Sequence, residues 1–308
     1  MRSRLLLLAL LACVVSALQG CDHKELCYDH EHIAEVALDF DWSLSPEAGP
    51  KSMVVRVFRL DGSAYQRYEF GDRNGGSIRI EAGEYRIICH NGSLDALDEA
   101  GRKWDEYGVE CIPQNILSPM GRDSGAPRPP GTDEQPVVCS PDMFWTDFSE
   151  YVDIKPFVKG QRVSLRPVEA TVDCSIEIDN VENLEESPGV SAALSGMSGR
   201  YNIVKGTDFG SPVTMPIALT PEGTDRLVAN FKLFGHCPAG EGRHILTIYT
   251  YDKHYFNFDV TEQVHSASDP HNIIIKIDHL KLPEPAGTDM APSISDWEDG
   301  EEVNIDMH

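Results

Sequence analysis

Basic residues are scarce in this chain: 26 Lys and Arg stand against 50 Asp and Glu, for a formal net charge of −24. So acidic a surface repels phosphate backbones, which excludes nucleic acid as a partner, and it repels anionic lipid head groups. Long apolar runs are also lacking. Past Val15 no stretch approaches the roughly 20 residues that a transmembrane helix needs. There is no CxxC spacing of a structural zinc site, no HExxH and no glycine-rich phosphate loop. Gly196-Met197-Ser198-Gly199 does not make the GxSxG elbow of a serine hydrolase. Paired carboxylates carry no signal, since so many acids always put some pair at a workable distance. These absences point away from an enzyme, and no cofactor or metal is expected. His23, His30 and His32 crowd near the start with Asp22, Asp29 and Glu31, but in a tether such side chains face water.

The first twenty-one residues are the most informative. Met1-Arg2-Ser3-Arg4 is basic, Leu5 to Val15 is apolar, and Leu18-Gln19-Gly20-Cys21 follows. This is the pattern of a signal peptide, residues 1–20, that ends in a lipobox. Cys21 is the expected lipidation site, and acyl chains there would hold the chain on an outer membrane at roughly 0.8 kcal/mol per buried methylene. Removing residues 1–20 takes away Arg2 and Arg4 and no acid, so the mature chain is two charges more negative still. Residues 21–32 are expected to form the tether.

Of the other cysteines, Cys27, Cys89, Cys111, Cys139, Cys174 and Cys237 remain in an exported chain. Cys111 and Cys139 bracket one long loop and are the candidate disulfide. Cys89 and Cys174 sit inside strand-like patterns, where buried thiols behave as small hydrophobes.

The body reads as all-β. Val36, Leu38, Phe40 and Trp42 alternate with Glu35, Ala37, Asp39 and Asp41, the period of a half-buried strand. Further strands are expected at 52–60, 65–70, 77–80, 85–90, 171–178, 227–234, 245–251, 255–260 and 273–277. Turns at Asp61-Gly62, Asn74-Gly75-Gly76 and Asn91-Gly92 separate several of them. Residues 94–105 form the one helix candidate in the first half. Residues 112–136, rich in Pro, Gly and Ser, read as a long loop. The expected organisation is a β-sandwich at 33–160, a second at 161–284 after the Lys159-Gly160-Gln161 junction, and an acidic tail at 285–308. In the tail Val303, Ile305 and Met307 have strand spacing, suited to its own sheet or a partner's. Tyr249, Tyr251 and Tyr255, with Trp104 and Trp145 in or near loops, offer either core packing or a platform for sugar rings.

Several short motifs also resemble a family. The lipobox Cys21, Leu26-Cys27-Tyr28-Asp29-His30 and the strand end Asp39-Phe40-Asp41-Trp42 are similar to outer-membrane lipoproteins of gut and oral anaerobes. So are Ile80-Glu81-Ala82-Gly83-Glu84-Tyr85, Cys89-His90-Asn91, Leu194-Ser195-Gly196-Met197 and Asp296-Trp297. That group resembles the fimbrillin and fimbrial-anchor proteins of donor-strand (type V) pili. The resemblance implies two tandem transthyretin-like (Greek-key) β-sandwich domains on the cell surface. It also implies assembly with fimbrial subunits or other surface proteins by strand donation. Shaft subunits of such pili are cleaved after an Arg, whereas Arg56 and Arg59 here lie inside a strand. That departure favours an anchor or accessory subunit. The alternative is a glycan-binding surface lipoprotein.

Overall fold

The structure is a computed structural model and describes residues 32–123, 125–187, 189–238, 240–284 and 297–299. The signal peptide, Cys21, Cys27 and the 300–308 segment lie outside the described residues. The first half contains β1 (Ile33–Phe40), β2 (Met53–Arg59), β3 (Ala64–Phe70), β4 (Gly75–Glu81), β5 (Gly83–Asn91), β6 (Leu97–Ala100), β7 (Gly108–Cys111), β8 (Trp145–Ile154), β9 (Gln161–Leu165) and β10 (Val168–Glu169). A three-stranded sheet, β4-β1-β9, packs on a five-stranded sheet, β10-β8-β5-β2-β3. The alternation of β1 is realised: Val36, Leu38 and Phe40 are buried while Glu35 and its neighbours on the other face are less so. They meet Val55, Val57, Ile87 and Cys89 in one core.

Strand β2 does not alternate, because both faces of its sheet are covered. Val55 and Val57 face the three-stranded sheet, whereas Phe58 joins Ile88 in a second core on the other side. A strand buried on both faces reads as a continuous apolar run, which is what Met53-Val54-Val55 and Val57-Phe58 are.

The second half contains β11 (Val172–Glu182), β12 (Val190–Asn202), β13 (Gly206–Ala218), β14 (Thr220–Pro221), β15 (Leu227–Leu233), β16 (Ile245–Thr250), β17 (His254–Asp259), the short helix α1 (Thr261–His265), β18 (Asn272–Lys281) and β19 (Glu298–Asp299). A four-stranded sheet, β14-β15-β11-β18, faces a seven-stranded one, β19-β17-β16-β12-β7-β6, with β13 also paired to β12. Ile176, Ile178, Leu194, Ile248, Ile275 and Ile277 fill the space between them. The architecture is the expected all-β sandwich.

Three expectations need correction. Residues 94–105 are not helical: Gly101 turns the chain at φ 81°, where an added Cβ would collide with Glu106 O, and β6 and β7 form a hairpin around that turn. This hairpin does not pair within the first sandwich. Arg200, Tyr201 and Asn202 of β12 pair with Glu110, Val109 and Gly108, so the hairpin extends the second half's larger sheet. Conversely β9, expected to begin the second half, runs parallel to β1 and closes the first sheet, from Val36 opposite Gln161 to Phe40 opposite Leu165.

A polar network fixes the hairpin to the first half. Glu99 of β6 accepts from Arg56 Nη2 at 2.6 Å, from Arg67 Nη2 at 2.9 Å and from the Tyr107 hydroxyl at 2.9 Å. Tyr107 OH also lies 3.0 Å from Nε2 of His90, which is buried. Burial alone would raise the Glu99 carboxyl; the two guanidinium hydrogen bonds outweigh it and hold the group down to about 2. Burial also keeps His90 below its ordinary range.

Candidate functional site

The candidate site is the outer margin of the seven-stranded sheet. Strands β16 and β17 form the hairpin expected around residues 252–254, with Tyr249 opposite Tyr255 and Lys253 left-handed at φ 69°. Strand β19 lies against β17 in parallel, and among the described residues it pairs Glu298 with His254 and Asp299 with Tyr255. Glu298 N donates to Lys253 O at 2.9 Å, and its carboxylate stands 3.4 Å from His254 Nε2. Trp297 anchors the segment: its indole N–H donates to Gly125 O at 3.0 Å and its ring meets Tyr249 edge-on at 5.7 Å. Among the described residues no strand pairs with the outer side of β17 from Phe256 to Asp259. An edge of this kind, unpaired among the described residues, is a ready template for another strand.

The long loop 112–136 lies over the same sheet. Ile116 and Leu117 are buried against Ala193 and Tyr249, and Tyr249 OH donates to Pro127 O at 2.7 Å. Covering β12 on its second face explains its composition. Ser191, Ala192, Ala193, Ser195 and Gly196 are small because the loop and the core approach from both sides.

The expected aromatic platform does not assemble. Tyr249 and Trp104 are buried, and Trp145 is half-buried edge-on to Trp42. Tyr255 is half-buried beside Tyr249. Tyr251 alone of the five is exposed, with the Arg122 guanidinium 4.7 Å from its ring centre. Cys111 and Cys139 come to neighbouring segments and both carry free thiols. Cys139 Sγ lies 3.3 Å from both Ala96 O and Ile112 O, and burial raises both thiols above their ordinary range. Cys89 and Cys174 are buried free thiols.

One cluster of potential ligand side chains was missed in the sequence. His236, His244 and His265 bring their ring nitrogens within 4.8 Å of one another, and Cys237 joins them. His244 Nε2 is 3.0 Å from His265 Nε2, and Cys237 Sγ is 3.7 Å from each. Burial, aided by the neighbouring imidazoles, lowers His244 to about 4; burial also lowers His236 and raises the Cys237 thiol. The four residues come from the β15–β16 connection, the entry to β16 and the end of α1. The signal in the sequence was the adjacent His236-Cys237 pair in a Gly/Pro-rich connection, with His244 just before a strand.

Known structures share the fold. A candidate adhesin of Bacteroides ovatus overlays with a TM-score of 0.60 at 18% identity, covering 86% of this chain and 99% of the other. A second candidate adhesin of Bacteroides ovatus gives 0.50 at 11%, covering 84% and 91%. The fimbrial anchor protein Mfa2 of Porphyromonas gingivalis gives 0.49 at 14%, covering 79% and 90%. No curated protein matches the chain in sequence. The family described as a domain of unknown function, DUF5119, matches residues 20–218, more than half of the chain, and the protein belongs to that family.

Proposed function

We propose that this chain is a non-enzymatic surface lipoprotein that serves as an anchor or accessory subunit of a fimbria-like assembly. Lipid on Cys21 holds it to the outer membrane, and neighbouring surface proteins join it by adding a strand. The observation that carries this reading is the margin of β17, which among the described residues has no partner strand from Phe256 to Asp259. Parallel pairing, as between β17 and β19, is slightly weaker per residue than antiparallel pairing, so an antiparallel strand from a partner competes well for this edge. Main-chain hydrogen bonds along the edge would supply affinity, and pockets for alternate side chains would supply specificity. The fold shared with candidate adhesins supports the same reading. A glycan-binding role finds less support, because the aromatics it needs are mostly buried.

The test uses native outer membranes containing the full chain, solubilised in SDS and blotted unheated beside boiled samples. A high-mass ladder that collapses on boiling is expected, and mass spectrometry of its bands would name the partners. A single monomer band in both lanes would refute stable strand exchange.

A further inference from the structure

We propose that His236, Cys237, His244 and His265 form a binding site for one zinc(II) ion, which clamps the β15–β16 connection and helix α1 to the end of the second sandwich. Tetrahedral zinc with bonds of about 2.0–2.1 Å to nitrogen and about 2.3 Å to sulfur places its ligands about 3.4 Å (N to N) and about 3.6 Å (N to S) apart. The structure has 3.0 Å between the Nε2 atoms of His244 and His265, and 3.7 Å from Cys237 Sγ to each. The His236 ring closes the group within the 4.8 Å that encloses the three histidine donors. Three separate segments thus bring four candidate ligands to one place, with three of the donor separations close to those of a tetrahedral site.

The imidazoles are oriented for this. His244 Nδ1 lies 3.2 Å from Ser195 O, and His236 Nδ1 lies 2.7 Å from Cys237 O. A carbonyl only accepts, so each Nδ1 carries the proton and each Nε2 presents a lone pair. Fixing the tautomer of a ligating histidine through its other nitrogen is the usual role of such carbonyls in metal sites. Without a cation, His265 can donate its Nε2–H to the His244 Nε2 lone pair 3.0 Å away, and binding a cation would shift that proton to His265 Nδ1.

The backbone is shaped around the ligands. Gly196 sits in a bulge of β12 at φ 79°, and a Cβ there would stand 2.7 Å from His244 Nδ1 and collide with Arg243 O. A Cβ on Gly242 would stand 2.5 Å from Cys237 Sγ. A small cleft lined by Gly196, Cys237, Gly242 and Arg243 opens beside the thiol and gives the ion a path in. The donor set selects the metal class. Three imidazoles and a thiolate suit zinc and its first-row neighbours, whereas calcium and magnesium demand oxygen. With all four positions filled by protein the site is closed, which is the structural type of zinc site. Binding converts the thiol to a thiolate and releases its proton to solvent, so the occupied site carries one net positive charge.

The test is metal binding by the full chain, purified without a polyhistidine tag, reduced, stripped with chelator and titrated with Co²⁺ and then Zn²⁺. One equivalent of Co²⁺ is expected to give the strong visible absorption of tetrahedral cobalt and a thiolate-to-cobalt charge-transfer band. Both should vanish on adding one equivalent of Zn²⁺. C237S should abolish the charge-transfer band, and H265A should weaken cobalt binding by at least about tenfold. Circular dichroism checks that both variants are folded, and the wild-type spectrum decides the matter alone if they are not. No charge-transfer band in the reduced wild-type chain, or a band unchanged in folded C237S, would overturn the proposal. Cobalt held instead by Cys27 with His23, His30 and His32 would give a band that folded C237S leaves unchanged, and counts against it too.

Discussion

Replacing Glu99 by Gln tests whether the β6–β7 hairpin is held by its ion network. In the folded chain the Glu99 carboxyl is held at about 2 against an ordinary 4.5. At 1.36 kcal/mol per pK unit that difference corresponds to about 3 kcal/mol. The side chain keeps 25% of its surface exposed, so solvent screening reduces the expected contribution to about 1–2 kcal/mol. Because the folded-state value lies below the unfolded one, this stability is fully present above about pH 4.5 and is lost as the pH falls towards 2. Urea midpoints of wild type and E99Q should therefore differ at pH 7, and by pH 3 the gap should shrink to roughly two-fifths. The comparison cancels the other carboxylates, which titrate alike in both proteins. A gap of equal size at both pH values, or none at pH 7, would show that Arg56 and Arg67 do not stabilise the charged form.

Other outcomes can be checked independently. Gln263 caps the outer edge of β18 by accepting from Lys276 N at 2.7 Å and donating to Lys276 O at 3.0 Å. Q263A should cost about 1–2 kcal/mol and raise light scattering on storage, because the edge is uncovered; an unchanged scattering trace would count against that protective role. C21S should move the protein from the membrane pellet to the soluble fraction, since the proposed acyl attachment is gone; retention in the pellet would refute lipid anchoring at Cys21. The candidate Cys111–Cys139 disulfide is decided by non-reducing peptide mapping of the exported protein. Both thiols, separate in the structure, should alkylate completely without reductant, and a linked Cys111–Cys139 peptide would overturn the unlinked state.

Much of the strand content was legible because it followed simple periodicity. Strand β1 alternates since one face is buried and the other is wet, and the β16–β17 turn carries its own Asp252-Lys253-His254 signal. What failed to read was structure covered on both sides. Strand β12 has small residues where a large apolar alternation was sought, because the 112–136 loop packs on its second face. The 94–105 segment resembled a helix because Leu97, Trp104 and Tyr107 face the core from a hairpin whose turn depends on Gly101. The His236, Cys237, His244 and His265 cluster was invisible for a different reason. Its spacing matches no compact ligand motif, and only the return of β16 beside β12, with α1 folded across its start, brings the four together.

The exchanged hairpin has a mechanical consequence. If the chain is tethered at its N-terminal end and loaded at the β17 margin, the two sandwiches cannot separate like beads on a string. Tension reaching β12 passes to β7 through the Arg200–Asn202 pairing and on through Glu99 to Arg56 and Arg67 on the first sandwich. A pulled molecule should therefore extend only after this junction ruptures, so that the joint between the halves bears load instead of acting as a hinge.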